Sequence, residues 1–427
     1  MSDARDTAHT DIAAFDFVVA RQPIFNRKLE TFGYEVLFRT CNGDSCALIT
    51  DYDEATNKII ADGFALASKG VKQDQKLTVN VGLENIVSRH VLALPPDKVV
   101  LEVPCTAEAS PGFIAACKDL KAAGYVFLLD NFTPEAAVDK AELLHLASFI
   151  KVPVGESPGQ QAAQVRAVLQ GWKGKLVASR LETWKAFESC KFLGFDFFQG
   201  FFFARPQELT GKRLTTHKLT RLRLLKELAD DTADLDAIVR NISTDVALSV
   251  RLLHFVNSAA FAMTHRVDTL HRAASLVGTN TLRKWALAAV LSDIDPSDRG
   301  RELCYRTLHL ANFLSMLGGR VPGGAHTPDK LFLLGLLSHV DAFLGESMRD
   351  IVDDMPLSED LKRALLRDES EPLTRFTALG DCVRLDAWDA ARAQLSGLQI
   401  PMPAAADLFM RAGEATGQVY QQMTGTA

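Results

Sequence analysis

The stretch PGFIAACKDLKAAGYVFLLDNF, residues 111–132, decides how the first half of the chain folds. Its first part spaces Phe113, Ile114, Cys117 and Leu120 as one face of a helix and closes on Gly124. Its second part, YVFLLD, is a continuous apolar run of buried-strand length that ends on Asp130. Working outward, the same unit recurs. Strand-like runs stand at 15–20 (FDFVVA), 32–38 (FGYEVLF), 76–81 (KLTVNV), 98–103 (KVVLEV), 125–130 (YVFLLD), 148–154 (SFIKVPV), 175–180 (KLVASR) and 194–200 (GFDFFQG). Amphipathic segments such as DEATNKIIADGFALASKG, residues 53–70, lie between them. Strands alternating with helices predict a parallel sheet, and eight such units predict an α/β fold closed as a TIM-like (β/α)8 barrel.

Several runs carry one polar residue at or near their ends: Glu35, Asn80, Glu102, Asp130, Lys151 and Gln199. In a barrel of this kind the C-terminal strand ends converge on the site of chemistry. Glu35, Asn80, Glu102 and Asp130 offer hard oxygen donors of the kind that suit Mg²⁺ or Mn²⁺. Lys151 adds a positive charge suited to a phosphate or an attacking water, and Gln199 is placed to orient either. The plainer alternative is that these groups cap loops or pair with one another.

From about residue 207 the strand-like runs stop. LDAIVRNISTDVALSVRLLHFVNSAAF, TLHRAASLVGTNTLRKWALAAVLSD and DKLFLLGLLSHVDAFLGE all have helical periodicity, so the second half is expected to be all-α. The expected division is a disordered N-terminus over 1–14, a barrel over 15–207, and a linker helix with a helical domain over 208–427. A net charge of −6 speaks against a general nucleic-acid binder. The basic run from Lys212 to Lys226 is followed at once by acidic residues and reads as a solvated connecting helix. Seven cysteines without a CxxC pair read as reduced thiols of a cytoplasmic protein. The N-terminus does not read as a signal peptide, and the longest apolar stretch is broken by Ser338, His339 and Asp341, so no membrane span is expected.

FGYEVLFR, LTVNV, VVLEV, LLDNF, FIKV, VASRLE and FQGFFFARP, in this order and spacing, resemble the motifs of EAL-domain cyclic-di-GMP phosphodiesterases over residues 15–207. The resemblance implies a barrel whose first strand runs antiparallel to its neighbours. It implies that Glu35, Asn80, Glu102 and Asp130 correspond to ligands of a first divalent metal, and Lys151 to the lysine beside the attacking water. Glu182 and Gln199 correspond to further active-site residues, and Arg39 to an arginine that contacts a phosphate of the dinucleotide. The departures matter equally. Active members carry Asp-Asp where this chain has Asp130-Asn131, and a Glu where it has Ser179. The Glu that closes the family's L-E-x-T-E motif is replaced by Cys105. A Gly-rich loop is replaced by TPEAAVD, which reads as a helix start. Two-metal hydrolysis clamps the attacking and leaving oxygens between two ions, so these losses predict a site reduced to one metal or none, with no catalysis expected.

STDVALSVRLLHFVNSAAF, followed by a turn at Gly278, resembles the HDOD domain, a relative of HD phosphohydrolases without their metal-binding His-Asp pair. Ser338-His339 stands where that pair would be. A metal site at His309, His339 and Asp341 is weighed against core or surface histidines, which is the reading preferred. Asn257-Ser258 is expected to cap or turn the chain. The whole resembles a degenerate EAL domain fused to an HDOD domain. The expectation is a non-catalytic bacterial signalling protein that binds cyclic di-GMP through Arg39, Glu35 and Gln199 and engages a protein partner through its helical domain. One alternative is a weak metal-dependent phosphodiesterase. Another is an interaction scaffold with no nucleotide, its barrel mouth filled by Phe132, Phe201 and Phe203. If the helical domain covers the mouth, ligand and partner would compete.

Overall fold

The computed structural model describes residues 17–42, 45–48, 64, 67, 68, 71–137, 141–154, 158–205, 216–230, 232–257, 267–321, 326–353, 355–385 and 387–424. Strands β1 (Phe17–Asn26), β2 (Thr31–Asn42), β3 (Ser45–Leu48), β4 (Lys76–Asn80), β5 (Val99–Pro104), β6 (Val126–Asp130), β7 (Phe149–Pro153), β8 (Lys175–Leu181) and β9 (Phe197–Gly200) share one sheet. Its order, β1-β9-β8-β7-β6-β5-β4-β2, returns to β1 through a β1–β2 pairing and so closes an eight-stranded barrel. The short β3 is appended to the far end of β2; four residues without a clear period gave it no signal in the sequence.

From β2 through β9 every barrel pairing is parallel, whereas β1 is antiparallel to both its neighbours. The reason is local. Asn26 Oδ1 accepts from Lys28 N (2.8 Å) and Glu30 N (3.0 Å), and Leu29 adopts φ 63°, which reverses the chain within four residues. Parallel neighbours need a crossover of about a dozen residues or more.

Helices α1 (Leu83–Val87), α2 (Pro111–Ala122), α3 (Ala141–Leu146), α4 (Pro158–Val168) and α5 (Trp184–Phe192) follow successive strands. In α2, Ser110 Oγ accepts from Phe113 N with Pro111 at the first helical position, and Phe113, Ile114, Cys117 and Leu120 are buried as their spacing predicts. Ile24, Val100, Leu128 and Val177 fill the barrel interior, with Phe32, Phe149 and Phe197 packed beside them at centroid separations of 4.4–5.7 Å. That end is closed by apolar side chains. The opposite end, where the strands deliver their polar residues, is left for a site. Of the segment 53–70 read as a helix, most lies outside the described residues.

From Thr216 the described chain is helical: α6 (Thr216–Ala229), α7 (Leu235–Ser243), α8 (Val246–Val256), α9 (Leu270–Val277), α10 (Thr279–Ile294), α11 (Asp298–Gly318), α12 (Pro328–Leu337), α13 (Val340–Leu344), α14 (Met348–Asp353), α15 (Glu359–Leu365), α16 (Thr374–Arg384), α17 (Trp388–Gly397) and α18 (Met402–Thr424). Asp234, Asp245, Ser297 and Thr327 cap α7, α8, α11 and α12 through side-chain oxygens. Gly278, at φ 82°, ends α9 and starts α10 in a conformation that favours glycine. Asn257 accepts from Val267 N and donates to the carbonyls of Leu253 and Val267, each at 2.7 Å, which pins the chain after α8; Ser258 lies outside the described residues. In the basic run, Lys218 donates to Phe343 O (2.8 Å) and Arg221 pairs with Asp245, so these cations are engaged within the helical half. No helix among the described residues is long and apolar enough to cross a membrane.

Helix α11 joins the halves. Thr31 N donates to Asp298 Oδ2 (3.3 Å), Arg299 donates to Phe203 O (3.3 Å), and Arg306 donates to Arg21 O (2.7 Å). Val19 N also donates to Met410 Sδ of α18 at 3.3 Å. Helix α11 therefore reaches from the closed end of the barrel at Thr31 toward the mouth, which residues of the helical half also line.

Two histidines near this junction are held neutral. Burial, with the charges of Arg384, Arg367 and Arg306, pushes His339 down to about 3. Burial pushes His309 down to about 4 even though its Nε2 lies 2.8 Å from Phe409 O. The unfolded chain protonates these groups near the ordinary histidine value of about 6.5, so their contribution to stability is complete above that pH and is lost as pH falls from there toward 4. Each histidine should steepen the loss by about 1.4 kcal/mol per pH unit. Urea unfolding of the wild type, His309→Gln and His339→Asn at pH 7 and pH 5 should show a smaller pH loss in each variant.

Candidate functional site

Strands β2, β4, β5, β6, β7 and β9 bring Glu35, Asn80, Glu102, Asp130, Lys151 and Gln199 to one place at the open end of the barrel. The Lys151 ammonium lies at the centre. It contacts Glu102 Oε1, Glu35 Oε2 at 3.1 Å and Asp130 Oδ1 at 3.4 Å. Asn80 Nδ2 donates to Glu35 Oε1 (3.1 Å), and Gln199 Nε2 donates to Glu35 Oε2 (2.5 Å) and Gln22 Oε1 (3.1 Å). Glu35, Glu102, Lys151 and Gln199 are all buried.

The electrostatics follow from that burial. Burial alone would lower Lys151, but Glu102, Glu35 and Asp130 outweigh it and hold the ammonium above the ordinary lysine range. Burial pushes Glu35 up, yet Lys151 and the hydrogen bonds from Gln199 and Asn80 leave it below the usual carboxylate value. Glu102, fully buried and facing Glu35, is raised well above that value, and its Oε2 has no hydrogen-bond partner.

The positions where the sequence departs from the EAL pattern lie beside this cluster and are themselves neutral side chains with partners in the fold. Asn131, at φ 53°, donates through Nδ2 to Asp130 Oδ2 (2.8 Å). Ser179 Oγ donates to Val152 O (3.2 Å). Cys105 is buried, with its N–H given to Asp130 O. TPEAAVD begins as a 3₁₀ turn, Pro134–Ala137. Glu182 is not part of the cluster: it stands at the rim, half exposed, 3.7 Å from Arg205. The backbone of Arg39 lies on β2 opposite Val18, and its side chain lies outside the described residues. Phe132 and Phe203 are buried away from the opening, and only Phe201 lines it.

Among the described residues no group of three or more His, Cys, Asp or Glu side chains is arranged to hold a metal ion. His309, held by Phe409 O, does not converge with His339 and Asp341. Glu35, Glu102 and Asp130 surround an ammonium instead. Their donor chemistry suits one hard divalent ion, and the unpaired Glu102 Oε2 is a donor in reserve. Asn131 and Ser179 bring no charge to this place.

Residues that sequence reading missed also line the space. Gln22 holds Gln199 from β1, just past the end of the apolar run at Ala20; its signal was the polar pair that opens RQPIF. Arg180, at φ 60°, approaches Asn131 Oδ1 at 3.5 Å. Glu302, Tyr305, Arg306, Arg384 and Trp388 enter from the helical half, and no local motif announces them.

Lys151→Met should leave the buried carboxylates uncompensated and destabilise the fold by about 3–5 kcal/mol. Thermal unfolding should show that loss, partly restored by millimolar Mg²⁺ or Ca²⁺ in the variant and little altered by either ion in the wild type.

Residues 214–350 match the HDOD domain family. A Vibrio cholerae protein named cyclic di-GMP phosphodiesterase CdgJ is 30% identical over 373 residues, spanning 87% of this chain and 85% of that protein. YuxH of Bacillus subtilis is 27% identical over 379 residues, spanning 87% and 91%. Among solved structures, the Bacillus subtilis YkuI protein, with an EAL domain in complex with c-di-GMP and calcium, aligns over 62% of this chain and 74% of its own at 15% identity and a TM-score of 0.39. Klebsiella pneumoniae BlrP1, in a calcium and c-di-GMP complex, aligns over 44% and 55% at 22% identity and a TM-score of 0.37. With a closed barrel whose first strand is antiparallel, followed by a matching helical domain, the chain belongs to the EAL-HDOD family.

Proposed function

We propose that the barrel mouth is a receptor site for cyclic di-GMP that holds the dinucleotide without efficient cleavage, and that the helical domain passes its occupancy to a protein partner in the cytoplasm. The observation that carries this reading is the Asp130–Asn131 pair. A second carboxylate beside Asp130 would call for a cation between the two, whereas the Asn131 amide satisfies Asp130 directly at 2.8 Å. The same neutralisation applies at Ser179, whose hydroxyl is turned onto a backbone carbonyl. In this reading Glu35, Asn80, Glu102 and Asp130 hold at most one Mg²⁺ or Mn²⁺, which when bound would screen phosphate charge and polarise a phosphoryl oxygen. Glu35 and Gln199 then orient the ligand, Arg39 contacts a phosphate, and Lys151 keeps the acidic floor near neutrality. Lys151, Glu182 and Gln199 are vestiges of a hydrolytic set from which the groups at 131 and 179 are missing.

A phosphodiesterase is the second reading, and the 30% identity to CdgJ favours it. Loss of a second-ion carboxylate and of a base should each remove several kcal/mol of transition-state stabilisation, and several kcal/mol is a factor of about a thousand or more in rate.

Titration of c-di-GMP into the metal-supplemented protein, with chromatography of the end-point mixture, tests the receptor reading. Binding with intact dinucleotide is expected. Asn131→Asp combined with Ser179→Glu should raise linear product at least about a hundredfold over background. Linear product scaling with wild-type protein would overturn the reading in favour of the enzyme, and absence of heat would overturn it in favour of a scaffold.

A further inference from the structure

The cavity at the barrel mouth has a roof built by the helical domain. Residues of α11, α16, α17 and α18 and the strand ends together line a cavity of about 1040 Å³. That is at the upper end of the range of about 300–1,000 Å³ typical of small-molecule sites. The floor holds Glu35, Glu102 and Asp130 around one ammonium. The roof brings Arg306 and Arg384, whose guanidinium carbons lie 5.7 and 5.0 Å from the ring centre of Phe201, two residues past Gln199.

The two arginines are not equivalent. Arg306 is engaged in the fold: its Nε donates to Glu302 (2.8 Å) and its Nη2 to Arg21 O (2.7 Å). Arg384 is not. Its side chain is 15% exposed, yet Nε and Nη1 are buried without a hydrogen-bond partner. The nearest carboxylate, Asp381, stands 3.6 Å from Nε, beyond a hydrogen bond, and Arg367 already holds both its oxygens at 2.8 and 3.2 Å. Burial and the nearby charges of Arg205, Arg306 and Arg367 press on this cation. A buried guanidinium with unmade hydrogen bonds is costly, and a planar fork of donors matches a phosphate better than any other common group. His339, also buried, lines the same cavity, and its Nδ1 has no hydrogen-bond partner.

We propose that Arg384 binds a phosphate of the ligand from above, so that one dinucleotide bridges the barrel and the helical domain. The inference rests on the receptor reading and deepens it. A cyclic dinucleotide carries two phosphodiester charges. On the floor Lys151 is shared by three carboxylates and Arg21 donates to Ala67 O, so Arg384 adds a cation for the second phosphate beside the one assigned to Arg39. The ligand then contacts both domains, and its binding biases how firmly they close on one another. The helical domain in this arrangement is part of the binding site rather than a passive reader of it.

Full-length wild type, Arg384→Gln and Arg384→Lys are titrated with c-di-GMP, and deuterium exchange of the wild type is followed with and without ligand. Arg384→Gln should weaken binding by about tenfold or more, Arg384→Lys should recover part of it, and ligand should protect residues 374–384. Equal affinity in Arg384→Gln, or a bound wild type without protection of that helix, overturns the bridging contact and leaves the receptor reading standing. No binding by the wild type overturns the receptor reading, and the bridging contact falls with it. Should Arg384→Gln fail to fold, Arg384→Lys and the exchange pattern decide the matter.

Discussion

A single ammonium holds three carboxylates together at the mouth of the barrel, and the rest of the site depends on that compensation. Lys151 is buried, as are Glu35 and Glu102, so their charges cannot be paid off by water. Only the parallel β4–β9 run, with strand ends in register, brings Glu102, Asp130 and Lys151 within reach of one another, and only the closing β1–β2 and β1–β9 pairings bring Gln22 onto Gln199. Charge balance at the mouth and closure of the sheet are in this sense one constraint.

That balance explains how the site tolerates its departures from the EAL pattern. With Lys151 among the carboxylates and Asn131 donating to Asp130, the polar groups are satisfied without a cation, apart from Glu102 Oε2. A polar cluster of this kind persists because breaking it would strand buried charge. The cavity carries charge of both signs, with Glu35, Asp130, Arg21 and Arg180 from the barrel and Glu302, Glu414, Arg306 and Arg384 from the helices.

Much of the fold was legible in the sequence, because buried parallel strands and amphipathic helices have distinct periods. The antiparallel first strand followed from a local cause, an Asn26 turn too short for a crossover, although the alternation of runs alone implied a uniformly parallel sheet. The floor was legible too: polar residues stand out at the ends of apolar runs, and Glu35, Asn80, Glu102, Asp130, Lys151 and Gln199 do meet. Glu182 does not join them, since Leu181 ends β8 and the chain turns outward at the rim. The roof was illegible. Arg384 lies some two hundred residues from the motifs it faces, on a helix whose pattern records only its own buried stripe, and no local signal encodes which face of one domain covers another.

The arrangement of the two halves makes the cavity a shared property of barrel and helices, joined by Arg306 to Arg21 O and Asp298 to Thr31 N. A ligand there is read by both domains at once. The most direct measurement of that account is a phosphorus NMR time course on stoichiometric c-di-GMP and full-length protein with Mg²⁺. The account predicts a phosphodiester resonance shifted or broadened by binding and unchanged in amount over hours. Growth of a phosphomonoester resonance, or a phosphodiester signal identical to that of the free dinucleotide, would contradict it.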